Sequence, residues 1–399
     1  MGVFGKRSDE TFQEYRERSI NSISKSFCGA KWYNATIWLG NGTTASCHHP
    51  PAHKIPLDEV ANSYKALHNT TYKKAVRKEM LDGVRPKECE YCWKIEDLGD
   101  DKVSDRVYKS VIYTDEELIE AKDKFGAGLD VDLKTLEIAF DANCNFACSY
   151  CNAFWKWWEA ELQFTLRELR VTGGEPSMSP DFWKLMDWWK ENPDCTVPFA
   201  VNSNLGQKKQ LLDALIESSK SFKDFSIYTS NEATELQSEY IRYGLDWDVW
   251  MTNMRRVNSE GNIRSVNVMM TINSLCLFSI TDFMDEMIKL KKEFGPHAAV
   301  MSFNILRFPS FQSIVTLPTE IRMERAQHME DWLEKTWDGG SNGFMDMERD
   351  GLLRLIEYTR QVDSGHAFTS SKESRERDFK SFYIQYDIRR KKDFLKTFL

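Results

Sequence analysis

A chain of 399 residues, 41% of them hydrophobic, is long enough for an α/β barrel and a small second domain. Its net charge of −8 does not favour general nucleic-acid binding, and no apolar run is long enough to predict a membrane-spanning helix. The segment Met1–Arg18 is too polar for a secretory signal. We therefore expect a cytoplasmic protein whose nine cysteines are not paired in disulfides.

Four cysteines occur in the first quarter of the chain. Cys28 is followed after thirteen residues by Gly42, and four residues separate Gly42 from Cys47; Cys89 and Cys92 form a C-x2-C pair. Strand-like segments at 36–39 and 43–46 flank a Gly-Asn-Gly turn, which predicts a β-hairpin immediately before Cys47. Four thiolates complete the ligand set of an iron–sulfur cluster and leave no iron open to substrate.

Two other interpretations of these cysteines remain. One is structural zinc, with three cysteines and a fourth ligand: Cys47, Cys89 and Cys92 joined by Cys28, His48 or His49. The other is a set of free, buried cysteines. We interpret His48, His49 and His53 as residues that pack in the loop and can hydrogen-bond to the ligands, rather than as ligands, because four cysteines already suffice.

The next segments connect this region to a sheet. Residues 56–82 predict a helix that stops at Asp82-Gly83. The charged stretch 97–132 predicts a linker with a helix at 114–125. Residues 136–140 alternate apolar and polar side chains and predict a strand.

Three further cysteines follow that strand within eight residues. Cys144, Cys148 and Cys151 have C-x3-C-x2-C spacing, one ligand short of the four that close a [4Fe–4S] cluster. An iron without a protein ligand can bind and break a substrate molecule, whereas a fully ligated cluster only transfers electrons. The other interpretation is a loop held by zinc.

Strands and helices alternate from this point on. A Trp-rich helix at 153–166 is expected to pack its aromatic rings in the core, and the strand at 168–172 ends in Thr172-Gly-Gly-Glu-Pro176. Further strands are predicted at 197–202, 225–229, 264–272 and 299–306. This order predicts a parallel α/β sheet with crossover helices, whose functional groups lie at the carboxyl ends of the strands. The tail from 370 to 399 predicts an amphipathic helix that packs across the barrel.

The cysteine triplet, with Tyr150 before its last cysteine, and the Gly-Gly-Glu-Pro segment together resemble the signature of the radical S-adenosylmethionine (SAM) enzymes. The resemblance implies a partial (β/α)6 barrel over 133–320, in which the open iron chelates SAM. One electron then cleaves the sulfonium to give a 5′-deoxyadenosyl radical.

The resemblance also implies a SAM pocket. The residues expected to contact SAM are Tyr150, Gly173, Gly174, Glu175, Pro176, Asn204, Ser230 and Asn273. Asn204, Ser230 and Asn273 follow the third, fourth and fifth strands, and ordinary loop capping is the alternative role for each. No catalytic residue is assigned beyond the cluster ligands.

The upstream pattern of Cys28, Gly42, Cys47 and the Cys89–Cys92 pair resembles the twitch and SPASM auxiliary-cluster domains, placed here before the barrel. It implies a small α+β domain with a linker over 1–132 that binds a second [4Fe–4S] cluster for electron transfer. The remaining residues, 321–399, form a helical extension.

These resemblances predict an enzyme that removes hydrogen from a substrate C–H bond, with a flavodoxin or ferredoxin as reductant. Residues 1–130 lack the pattern of a leader-binding winged helix, which favours a small or sugar-like substrate. A peptide or protein maturase is the alternative. A non-catalytic iron–sulfur or zinc module is a more distant one, because such a module has no need of the Gly-Gly-Glu-Pro segment.

Overall fold

The computed structural model describes residues 5–100, 102–140, 154–361 and 371–398. Cys144, Cys148, Tyr150 and Cys151 lie outside the described residues. Contacts divide the chain into two compact units, Met1–Ala200 and Val201–Leu399. The predicted division at 132 and 320 stays a prediction.

The first unit has five strands in a mixed arrangement: β1 (Asn34–Trp38), β2 (Thr43–Ala45), β3 (His53–Lys54), β4 (Thr135–Ala139) and β5 (Glu168–Thr172). Their order is β3-β2-β1-β4-β5. The neighbours β1, β4 and β5 run parallel, whereas β2 and β3 continue the sheet as antiparallel strands. The predicted hairpin is confirmed, and its turn uses the left-handed backbone of Gly42 at φ 64°. The hairpin thus extends the sheet that holds β4 and β5.

The helices of the first unit surround this sheet. They are α1 (Phe12–Tyr15), α2 (Gly29–Tyr33), α3 (Leu57–Asn62), α4 (Thr71–Leu81), α5 (Glu90–Glu96), α6 (Asp105–Tyr108), α7 (Asp115–Gly126), α8 (Gln163–Thr165) and α9 (Pro180–Glu191). Two π-helical stretches, Arg16–Ile20 and Trp158–Leu162, occur beside α1 and before α8. The predicted aromatic core is confirmed for Trp157 and Trp158, which are both buried, and Trp189 on α9 is buried as well.

The helix predicted over 56–82 is divided in the structure. Helix α3 ends before Ser63, a 3-10 turn spans Tyr64–Leu67, and α4 begins after Thr70. Ser63 and Thr70 each accept a hydrogen bond from a backbone N–H two or three residues ahead, so each starts a new helical segment. The hydrophobic period extends through both breaks and therefore did not reveal them.

The second unit contains three parallel strands, β7 (Phe225–Thr229), β8 (Ser265–Ile272) and β9 (Val300–Ile305), paired in chain order. Strand β6 (Phe199–Asn202) spans the residue boundary between the units. The helices are α10 (Lys209–Ser219), α11 (Glu235–Ile241), α12 (Trp247–Glu260), α13 (Ile280–Phe294), α14 (Thr319–Thr336), α15 (Asp346–Arg360), α16 (Lys372–Arg390) and α17 (Phe394–Phe398).

The six strands predicted from 136 onward are each found within two residues of their expected bounds, and the α/β class is confirmed. Closure of the strands into a partial barrel stays a prediction. The predicted amphipathic tail is α16, whose Tyr386 hydroxyl donates to the Tyr240 carbonyl at 2.8 Å and whose Tyr383 packs near Tyr240. Within the described ranges, no helix is both long and apolar enough to cross a membrane.

Candidate functional site

The four N-terminal cysteines line one cavity in the first unit. Cys28 precedes α2, Cys47 follows β2, Cys89 ends a 3-10 turn, and Cys92 lies on α5. The other lining residues are Ala30, Lys31, Ser46, His49, Pro50, Met80, Trp93, Asp105, Arg106 and Lys109. Three separate chain segments therefore bring four thiols together, as the sequence pattern requires.

Hydrogen bonds hold these segments in place. Arg106 donates to the carbonyl of Phe27 at 2.8 Å, next to Cys28, and also pairs with Glu96. The Asn34 side chain, at the start of β1, donates to the carbonyl of Ser46 at 2.5 Å, next to Cys47. Trp93, which follows Cys92, donates its indole N–H to the Pro86 carbonyl at 3.0 Å. Each cysteine segment is thus fixed by a neighbouring residue, and the thiols stay available as ligands.

Burial dominates the titration of the four thiols. It raises the pKa of Cys28, Cys47 and Cys92, and raises the pKa of Cys89 to about 12. Negative charge at Cys28 raises the pKa of the other three further, which reflects how closely the thiols approach one another. A bound metal reverses this balance, because thiolates coordinate it directly.

The side chains around the cavity can supply more positive than negative charge. Among the lining side chains, Lys31, Arg106 and Lys109 are cationic, and Asp105 is a carboxylate. Lys31 and Arg106 pair with Glu88 and Glu96, which do not line the cavity. Lys73, which donates to Thr44 Oγ1 at 2.8 Å and to the Ala45 carbonyl at 3.2 Å, has its pKa lowered well below the ordinary value by burial.

Four thiols and an excess of cationic lining side chains fit an anionic metal–thiolate centre. Both a [4Fe–4S] cluster and a zinc ion with four cysteine ligands satisfy this chemistry. The ring of His49 stacks on Tyr91 with centroids 3.7 Å apart, and its Nε2 lies 2.7 Å from Asp105 Oδ2. His48 is mostly exposed. Ligand atoms of His48, His49 and Asp105 lie within 4.8 Å of one another, so the loop role expected for the histidines stays a prediction.

A second group of candidate residues lies at the carboxyl ends of β4 and β5. Ala139, the last residue of β4, is paired with Thr172, the last residue of β5. Phe140, the last described residue before the cysteine triplet, follows Ala139 in the chain as Gly173 follows Thr172. Gly173 has φ 135°, a conformation that favours glycine, and a Cβ on Gly174 would meet no atom within 4 Å.

The last residues of this segment form a short turn. Glu175 accepts hydrogen bonds from the backbone N–H of Ser177 at 3.4 Å and from its hydroxyl at 2.8 Å. Pro176 begins the 3-10 turn Pro176–Met178. Gly173 and Gly174, which precede this turn, have no side chain that would keep a ligand away from their backbone.

The two groups of residues lie at opposite ends of the parallel strands β1, β4 and β5 in the first unit. The hydrogen bond from Asn34 to Ser46 puts the four-cysteine cavity beside the first residue of β1, which is paired with Thr135 at the start of β4. The Gly-Gly-Glu-Pro segment follows the last residue of β5. A five-residue strand spans about 15 Å, which is the length of sheet between the end of β1 beside the cavity and the end of β5 beside this segment.

In the second unit, two predicted SAM contacts have local structural roles. Asn204 Oδ1 accepts from the backbone N–H of Gly206 at 2.7 Å. Asn273 Oδ1 accepts from the N–H groups of Leu275 and Cys276 at 3.0 and 3.2 Å. Both side chains cap turns, the alternative role considered from the sequence. Ser230 is half-buried, and contact of all three with SAM stays a prediction.

Sequence reasoning missed three polar atoms at the same strand ends. Within the described ranges, buried Asn202 Oδ1, Asn231 Nδ2 and Ser274 Oγ have no hydrogen-bond partner. They follow or end β6, β7 and β8, and such orphaned atoms indicate a polar ligand or ordered water. The sequence pattern indicated these loops as binding segments. It could not show which of two adjacent residues, Ser230 or Asn231 and Asn273 or Ser274, has the polar atom without a partner.

Comparisons with known proteins give little further information. No family model matches the chain, and no curated protein matches it. Matching solved structures include SuiB from Streptococcus suis bound to S-adenosylmethionine, at 13% identity over 78% of this chain and 70% of that chain, with a TM-score of 0.37. SuiB bound to its precursor peptide SuiA matches at 15% identity over 76% and 69% of the two chains, also with a TM-score of 0.37. Scores this low support no argument about fold or function.

Proposed function

We propose that this chain is a radical SAM enzyme with an auxiliary iron–sulfur centre. The observation that supports it best is the pairing of Ala139 with Thr172. This pairing brings Ala139, five residues before Cys144, beside Thr172, which directly precedes Gly173. We therefore expect the carboxyl ends of β4 and β5 to hold a three-thiolate iron site next to a glycine backbone that receives the methionine moiety.

Each part of the chain has a distinct role in this proposal. One-electron reduction of the SAM sulfonium, supplied by a cluster at Cys144, Cys148 and Cys151, gives methionine and a 5′-deoxyadenosyl radical that removes hydrogen from a substrate C–H bond. Gly173 and Gly174 admit the methionine moiety, and Glu175 and Pro176 shape the turn beside it. Asn204, Ser230 and Asn273 are the proposed contacts to ribose and carboxylate.

The four-cysteine cavity is the proposed auxiliary centre, held by Cys28, Cys47, Cys89 and Cys92. The excess of cationic side chains around it favours an anionic thiolate centre, and four ligands leave no iron open to substrate. The cavity lies at the end of the strands opposite to Gly173 and Gly174, a position that suits transfer of an electron better than contact with substrate. We propose a small or sugar-like substrate, with a peptide as the alternative.

Metal analysis after anaerobic reconstitution tests both centres. The protein should hold about eight irons per chain, and the variant lacking Cys144, Cys148 and Cys151 should hold about four. Replacing Cys89 and Cys92 by alanine should remove the other four. Zinc in place of that second set would favour the structural-zinc interpretation, and retention of all iron would remove the cavity as a metal site.

A further inference from the structure

Lys31 is one of the buried cations that line the four-cysteine cavity. It lies on α2, three residues after Cys28, lines the cavity, and is 4% exposed. The Lys31 ammonium forms an ion pair with the Glu88 carboxylate, and the Lys31 side chain lines the same cavity as the four thiols.

A single carboxylate balances this ammonium. Glu88, next to Cys89, forms an ion pair with Lys31 through Oε1, and its Oε2 accepts a hydrogen bond from the Tyr72 hydroxyl. The Glu88 side chain is only 11% exposed, so solvent screens the pair weakly. Lys31 and Glu88 thus form a fixed dipole whose positive end, Lys31, lines the cavity.

Such a dipole changes how readily the centre accepts an electron. Adding an electron to a thiolate-ligated cluster increases its negative charge, and nearby positive charge stabilises the reduced form more than the oxidised form. A carboxylate at the same place has the opposite effect. The two partners must therefore shift the reduction potential in opposite directions.

We propose that the Lys31–Glu88 pair sets the reduction potential of the four-cysteine centre and poises that centre to accept an electron from the substrate radical. The proposal rests on the proposed function, because it requires an iron–sulfur centre at these cysteines. Removal of a hydrogen atom by the adenosyl radical leaves a carbon radical on the substrate. That radical loses one electron to the centre and one proton to solvent, which gives a product oxidised by two electrons; a flavodoxin or ferredoxin then takes the electron from the centre.

A redox titration of the full chain carrying Cys144→Ala, Cys148→Ala and Cys151→Ala isolates the second centre. In this background, Lys31→Met should reduce the equilibrium constant for one-electron reduction at least tenfold, which corresponds to a fall of about 59 mV. Glu88→Gln, which keeps the volume of glutamate and one acceptor oxygen for Lys31, should increase the constant by a similar factor. Paramagnetic resonance of the reduced centre at controlled potentials provides the readout.

Two matched variants serve as controls. Lys31→Arg keeps the charge and should retain most of the original potential. Lys78→Met removes a lysine on α4 whose side chain is 71% exposed, and should leave the potential unchanged.

The outcomes separate this inference from the proposed function. Absence of iron, or zinc in its place, in the triple-alanine background would reject the auxiliary cluster and with it this inference. The inference alone would be overturned if the iron content is full but Lys31→Met and Glu88→Gln shift the reduction potential in the same direction. It would also be overturned if neither variant shifts the potential. If Lys31→Met loses the iron–sulfur centre, Glu88→Gln alone tests the inference: a rise in the reduction potential supports it, and a fall or no change overturns it.

Discussion

Lys291 and Glu348 form an ion pair whose side chains are both fully buried in the second unit. Glu348 also accepts hydrogen bonds from the backbone N–H groups of Met301 and Met345, each at 2.7 Å. The carboxylate therefore ties the start of β9 to the start of α15 and to α13. These bonds satisfy a charge that would otherwise be very unfavourable in the core.

We expect Lys291→Met to destabilise the protein by about 3 to 5 kcal/mol, because it leaves Glu348 buried without a counter-ion. Chemical denaturation measures the loss. The double variant Lys291→Met with Glu348→Gln should recover part of the stability. A loss of less than about 1 kcal/mol in the single variant would show that the pair is not held as described.

Residue types were the most predictable feature of the candidate site. The spacing of Cys28, Cys47, Cys89 and Cys92 predicted a shared site, and the structure brings the four together. The Lys31–Glu88 pair could not be predicted, because its partners are 57 residues apart and neither belongs to a motif. Spacing reveals metal ligands, whereas the charges around them depend on tertiary packing.

At the scale of elements, the loop after β5 contains two adjacent glycines at which single substitutions should affect stability differently. Gly173 has a positive φ, whereas Gly174 does not and has open space at its Cβ position. The two adjacent glycines therefore differ in what an added methyl group costs. This difference makes them a matched pair.

Gly173→Ala should lower the free energy of unfolding by about 1 to 3 kcal/mol, because alanine rarely adopts this conformation. Gly174→Ala should leave stability nearly unchanged while weakening SAM binding, because its methyl group would occupy space open to the ligand. Thermal unfolding with and without SAM distinguishes the two effects. Equal stability of both variants would contradict the described backbone.

The strands from 136 onward were predictable because their apolar runs are bounded by turn residues, as the close agreement for β5 and β7 illustrates. The helix over 56–82 was not, because Ser63 and Thr70 break it without interrupting the hydrophobic pattern. The parallel pairing of β1 with β4 was also missed. Pairing between strands this distant in sequence leaves no local signal.

At the scale of the whole molecule, the proposed division of labour predicts separable activities. Replacing Cys28 and Cys47 by alanine should leave SAM cleavage largely intact, because the radical is formed at the other three cysteines. Turnover of the true substrate should fall sharply, because its radical loses the electron acceptor. Product analysis by mass spectrometry measures both activities in one sample.

Circular dichroism of the same variant provides the control for folding. A folded variant that loses both activities together would contradict an electron-transfer role for the auxiliary centre. An unfolded variant would instead show that the metal holds this part of the chain together, as a structural site does.

The central claim is that Cys144, Cys148 and Cys151 hold a cluster with one iron open to SAM. Formation of 5′-deoxyadenosine tests it most directly. We predict that the anaerobically reconstituted protein, given SAM and a strong reductant, forms 5′-deoxyadenosine and methionine, and that Cys148→Ala abolishes both while Cys195→Ala, a cysteine outside both proposed sites, does not. Undiminished 5′-deoxyadenosine from the variant lacking all three cysteines, or none from the intact protein with its full complement of iron, would contradict the claim.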